Sequence, residues 1–102
     1  MKRKQKVREN FRNEVFSRDN NKCKVCGSGG KLDAHHITDR NEMENGGYVK
    51  ENGISLCEQC HKKAEVWHSS GKGKFVDGYH PEQLYKLINS SYILAVTQSK
   101  KL

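Results

Sequence analysis

Val7, Phe11 and Val15 recur at four-residue intervals among charged and polar neighbours, with Phe16 beside them. That spacing predicts an amphipathic helix over 7–18, led in by the basic residues Lys2, Arg3, Lys4 and Lys6. Asp19-Asn20-Asn21 disfavours further helix and passes the chain to Cys23-Lys24-Val25-Cys26-Gly27, a knuckle in which Gly27 can take a positive φ. After Gly29-Gly30, the short stretch 31–37 predicts a strand, and 53–56 predicts its hairpin partner. Between them, 38–52 is polar, glycine-bearing and nearly free of aliphatic residues, which reads as a long surface loop of the kind kept for function. The stretch 57–67 lacks Gly and Pro and contains good helix formers, so it predicts a second helix, ended by Ser69-Ser70-Gly71-Lys72-Gly73. Pro81 can occupy a first helical position, and Leu84, Leu87 and Ile88 then share one face of a third helix over 81–89. From Ser91 onward the pattern fits helix or strand equally.

A chain of 102 residues allows one domain and buries little apolar surface against its conformational entropy. With 33% hydrophobic and 30% charged residues, the core must be thin, and a covalent or coordinative staple is expected. No apolar run approaches the roughly 20 residues of a membrane helix, and the basic N-terminus leads into polar sequence where a signal peptide would have an apolar core. The expectation is a soluble, non-secreted, cytoplasmic protein. The formal net charge of +7 suits a polyanionic partner, although a lysine-rich solvated surface satisfies the charge equally well.

The staple has obvious candidates in Cys23-x-x-Cys26 and Cys57-x-x-Cys60. Each pair has the spacing that lets both thiolates of a knuckle reach one tetrahedral ion. The long separation of the pairs implies that the ion closes a larger unit than a finger hairpin. A four-cysteine site is closed to water, so its zinc would be structural and could not serve as a catalytic metal. Two disulfides or a redox-active pair are the alternatives. Folding around a common ion would also bring His35-His36 close to His61, which directly follows Cys60.

These blocks resemble the HNH endonuclease family. Asp33-Ala34-His35-His36-Ile37 is similar to the first family block, Asn52-Gly53-Ile54-Ser55-Leu56-Cys57 to the middle one, and Cys57-Glu58-Gln59-Cys60-His61 to the last. The resemblance implies a ββα-metal motif, a β-hairpin plus helix, here stapled by the four-cysteine zinc site and flanked by N- and C-terminal helices in a small α+β fold. The resulting organisation is one nuclease domain over 1–102, with a basic helix (1–20), a zinc-stapled core (23–68) and a helical extension (69–102). It further implies DNA as substrate, His36 as general base, His35 and His61 as ligands of a catalytic divalent ion (Mg²⁺, Mn²⁺, Ni²⁺ or Zn²⁺), and Asn52 as the residue that holds the loop and orients His36. Small proteins of this look often belong to phages, mobile elements or restriction systems, where a packaging or restriction component would be a partner.

Many family members have an acidic residue where His35 stands, and two imidazoles favour softer ions than Mg²⁺. Glu65, one turn beyond His61, could add a carboxylate, but the plainer expectation is a solvated helix residue. Arg40 could hold the scissile phosphate, and Lys2, Arg3, Lys4 and Lys6 could follow the DNA backbone. Neighbours in a regular strand face opposite ways, so His35 and His36 can serve one centre only if the strand ends or bulges there. His68 and His80 lie outside the motif and read as ordinary surface or core side chains. Trp67, Phe75, Tyr79 and Tyr85 read as packing residues. A non-catalytic zinc module binding nucleic acid would explain the cysteines and the charge, but not the histidines or Asn52.

Overall fold

The computed structural model describes residues 2–102, with side chains from Lys4 onward. The side chains of Lys2 and Arg3, candidates for backbone contacts, lie outside the described residues. The chain runs α1 (Lys2–Arg18), β1 (Leu32–His36), β2 (Gly53–Cys57), α2 (Glu58–Ser69), α3 (Pro81–Leu87) and α4 (Tyr92–Lys100). β1 and β2 form an antiparallel hairpin in unbroken register from Leu32 opposite Cys57 to His36 opposite Gly53. The result is a small α+β fold built on a hairpin and helix, with the four cysteines gathered in one cluster.

α1 begins earlier than its apolar spacing suggests, because its first turns are good helix formers that need no buried face. It ends as Asn20 and Asn21 both take positive φ, at 57° and 56°, a conformation asparagine tolerates. Phe11 and Val15 are its buried residues, and they lie so close to Gly53 that a Cβ there would stand 2.5 Å from Val15 Cγ2. The end of α1 is tied to the hairpin as well. Asp19 accepts two hydrogen bonds from Arg18, each 2.8 Å, and one from the Ser55 backbone N–H at 2.9 Å, while Arg18 also donates to the Gly53 carbonyl. Burial works to raise the Asp19 carboxyl, but Arg18 and the Ser55 hydrogen bonds outweigh it and hold the group below its usual range.

The segment 38–52 is more ordered than a surface loop. It carries three short 3-10 turns, and Thr38, Met43, Val49 and Asn52 are buried. Its anchor is the ambiguous tail, which forms α4 with Ser91 as N-cap accepting from the Leu94 N–H. The buried Ser99 hydroxyl accepts from the Gly47 N–H and donates to the Glu44 carbonyl. In α3 the buried face is Leu84, Tyr85 and Ile88, not the expected Leu84, Leu87 and Ile88. Leu87 is exposed, because the helix ends there and the chain turns at Ile88 and Asn89. His80 caps this helix, its Nδ1 accepting from the Glu82 N–H. Tyr79 and Tyr85 are buried as expected, whereas Phe75 is half exposed and stacks edge-on against Trp67 and His80 at the surface.

Among the described residues, no helix is long and apolar enough to cross a membrane.

Candidate metal centres and catalytic cleft

The first cysteine pair sits in a knuckle closed by Cys23 N–H to Ser28 O and Gly27 N–H to Cys23 O, with Gly27 at φ 80°. Lys24 N–H to Ser55 O fastens it to β2. Cys57 ends β2 and is the N-cap of α2, and Cys60 lies in the first turn of that helix. All four sulfurs lie within 4.8 Å of one another. The 3.6 Å between the Cys26 and Cys57 sulfurs is close to the ~3.8 Å edge of a tetrahedron with metal–sulfur bonds of about 2.3 Å. Hydrogen bonds with Ser28 bring the Cys26 thiol down to about 6, while burial pushes Cys60 up to about 12. A shared cation is what lets four neighbouring thiols ionise together. The Tyr79 hydroxyl donates to the Cys60 sulfur at 3.3 Å, an outer contact of the kind that steadies a metal-bound thiolate. The donor set fits a metal ion.

A second convergence lies where β1 meets α2. Glu65 Oε1 is 3.1 Å from His61 Nε2 and 3.4 Å from His35 Nδ1. His61 Nδ1 is 3.1 Å from Asp33 Oδ2, so Asp33 can accept its proton and leave Nε2 with a free lone pair. His35 is buried, and desolvation lowers its pKa, which favours the neutral imidazole that a metal needs. The His35 imidazole in turn holds the Glu65 carboxyl down to about 2. Glu65 is therefore not the free solvated residue expected of it; half exposed, it turns its carboxylate onto both rings. Two imidazoles and a carboxylate make a three-sided donor set with room for water or a phosphate oxygen.

β1 ends at His36 without a bulge, and the two histidines do face different elements. His35 packs against His61 and His68 of α2. The His36 ring instead stacks on Phe11 of α1 at 4.5 Å and meets the Tyr48 ring at 4.7 Å. Both still open into one cleft of about 400 Å³, because the strand stops there. His36 Nε2 is buried without a partner, leaving Nδ1 as the nitrogen to face the cleft. Burial, with His35 and Arg40 nearby, lowers the His36 pKa to about 4.

Asn52 is fully buried and fully engaged. Its Oδ1 accepts from Thr38 N–H (3.0 Å) and from the Tyr85 hydroxyl (2.7 Å), and its Nδ2 donates to the carbonyls of Thr38 (3.0 Å) and Gly47 (3.2 Å). It does not touch the His36 ring; it clamps the backbone two residues later. Arg40 lies exposed beside the cleft and donates from Nη1 to the Tyr48 hydroxyl at 3.3 Å.

The structure adds residues that the sequence reading passed over. His68 donates from Nε2 to the His36 carbonyl at 3.1 Å and lines the same cleft. The available signal was helical spacing, since His61, Glu65 and His68 fall on one face of α2. Tyr85, read as packing alone, also completes the hydrogen bonds of Asn52. No local sequence signal links residues 33 positions apart.

Residues 23–66 match the model of the HNH endonuclease family. No curated protein and no solved structure matches the chain. The matched segment contains the four cysteines, His35, His36, Asn52, His61 and Glu65.

Proposed function

Starting from residues 23–66 as an HNH endonuclease domain, we propose that the chain is a metal-dependent DNA endonuclease, acting as one unit over 1–102. A domain of this family points to a nuclease or nucleic-acid-binding function. The observation that carries the catalytic reading is the convergence of His35, His61 and Glu65 beside a neutral His36. The cysteine cluster holds zinc and supports the architecture. His35, His61 and Glu65 hold the second, exchangeable ion. When bound there, a divalent ion supplies charge stabilisation at the scissile phosphate and at the departing 3′ oxygen.

His36 takes a proton from the attacking water through Nδ1 as the water oxygen bonds to phosphorus and the bond to the 3′ oxygen breaks. Stacking on Phe11 fixes the plane of the ring. Asn52, acting through Thr38, and His68, acting on the His36 carbonyl, hold the backbone that follows that ring. Arg40 offers its guanidinium to the phosphate. Recognition then rests mainly on backbone charge, with low sequence specificity.

Incubation of supercoiled plasmid with the purified protein tests this reading. Nicking is expected with at least one of Mg²⁺, Mn²⁺, Ni²⁺ or Zn²⁺, its loss with EDTA, and a fall of about 10²-fold or more in rate for His36→Ala. Absence of cleavage with every ion while DNA still shifts in a gel would favour a non-catalytic nucleic-acid-binding module. His36→Ala cutting as fast as the unmodified protein would remove His36 as base.

A further inference from the structure

Tyr48 closes the second 3-10 turn and is held on three sides. Its ring packs edge-on against His36 at 4.7 Å and Phe11 at 5.7 Å. Arg40 donates to its hydroxyl, and the Arg8 guanidinium carbon lies 5.8 Å from its ring centroid. Lys4, one helical turn before Arg8, shares with Arg8, Tyr48, Val7 and Asn45 a groove of about 540 Å³. Leu102 completes the lining, whose charged side chains are Lys4 and Arg8, and the first turn of α1 carries no acidic residue.

Three cations elsewhere have carboxylate partners, Arg18 with Asp19, Lys62 with Glu58 and Lys72 with Glu42, while others, Lys24 among them, stand alone and apart; what distinguishes the cations here is that they gather around one side chain. Among the described residues, Lys4, Arg8 and Arg40 form no ion pair. Three positive charges left without a carboxylate, and arranged around one phenol, complement an extended anion. A tyrosine hydroxyl that accepts from Arg40 keeps its own proton for an outside acceptor. The arrangement also begins at His36, the residue nearest the proposed chemistry.

We propose that Arg40, Tyr48, Arg8 and Lys4 form one phosphate track that carries a DNA backbone from the metal cleft out along α1, with the Tyr48 hydroxyl donating to a phosphate oxygen. The track rests on the nuclease reading above for its direction, with the scissile phosphate at the Arg40 end. It assigns the grip on substrate to α1, outside residues 23–66. Tyr48 also couples that grip to the base, because one ring touches both the phosphate and His36.

The test is the affinity for a labelled DNA duplex as a function of salt, measured in the His36→Ala background so that no cleavage intervenes. Arg8→Gln and Lys4→Gln are each expected to weaken binding and to reduce the slope of log K against log salt by about 0.9, the value for one lost phosphate contact. Lys24→Gln, in the cysteine knuckle, removes the same charge and is expected to leave the slope unchanged. In the otherwise unmodified protein, Tyr48→Phe keeps the ring packing and is expected to raise KM for DNA roughly three- to tenfold without moving the thermal midpoint. Unchanged slopes for Arg8→Gln and Lys4→Gln, or an equal fall for Lys24→Gln, would overturn the track. If the protein cuts DNA and those slopes stay unchanged, the track alone fails. If it cuts nothing and the slopes fall as stated, the track stands and the catalytic reading fails.

Discussion

At Glu65 a single carboxylate oxygen lies within reach of two imidazoles, His61 at 3.1 Å and His35 at 3.4 Å. If these three groups share one ion, Glu65→Gln removes the only anionic ligand among them while preserving shape. The expected outcome is a loss of about tenfold or more in divalent-ion affinity by calorimetry, with the unfolding midpoint of the zinc-loaded protein little changed. Equal affinity in the two proteins would leave Glu65 as a helix-surface residue. Motif blocks made His35, His36, Asn52 and His61 legible as candidates, because each block keeps its residues close in sequence. His68, Tyr48 and Tyr85 stayed hidden, since each makes its contact with a carbonyl, a ring or a side-chain amide supplied by another segment. Glu65 fell between the two cases: the spacing from His61 was visible, but not the turn of its carboxylate toward His35.

Between elements, α1 packs tightly onto β2. Gly53 is buried with Phe11 and Val15 directly over it, and the same Phe11 stacks on the His36 ring. Gly53→Ala is expected to cost about 1–3 kcal/mol through overpacking, measured by denaturant unfolding, because neither neighbour is a flexible chain end that can step aside. A change below ~0.5 kcal/mol would mean that α1 is loosely docked. The periodicity of α1 and the two strands was readable because apolar spacing reports a buried face. The segment 38–52 was misread as surface loop for a related reason. Its order comes largely from hydrogen bonds to Ser99 and Tyr85, with Met43 and Val49 its few buried apolar side chains, so hydropathy carries little trace of it. The Leu87 expectation failed because Leu84, Tyr85 and Ile88 take the buried side and leave Leu87, at the last position of α3, facing out.

For the whole molecule, the cysteine cluster decides whether the thin core suffices. It joins the knuckle after α1 to the junction of β2 and α2, so losing its ion should unfasten the hairpin from both sides. A weak chelator is expected to strip the histidine site and abolish cleavage while circular dichroism is retained. A strong chelator that also removes the thiolate-bound ion is expected to produce cooperative unfolding, reversed by added Zn²⁺. Full retention of helical signal after complete metal removal would show that the apolar core holds the fold unaided. That four cysteines would meet, one pair in a knuckle and the other at a strand–helix junction, could be read from the two CxxC pairs and their neighbours. The structure refines this by one residue, making Cys57 both the end of β2 and the N-cap of α2.

Tyr85 sets a limit on how portable the family segment is. The family segment stops at residue 66, yet the hydroxyl that completes the bonding of Asn52 and meets Thr38 comes from α3. Grafting 23–66 onto another scaffold would transfer every proposed ligand and the proposed base, but would leave Asn52 Oδ1 without the second of its two hydrogen bonds. The module that can be inherited or exchanged as a working piece is therefore larger than the stretch by which it is recognised, and its C-terminal helices belong to it.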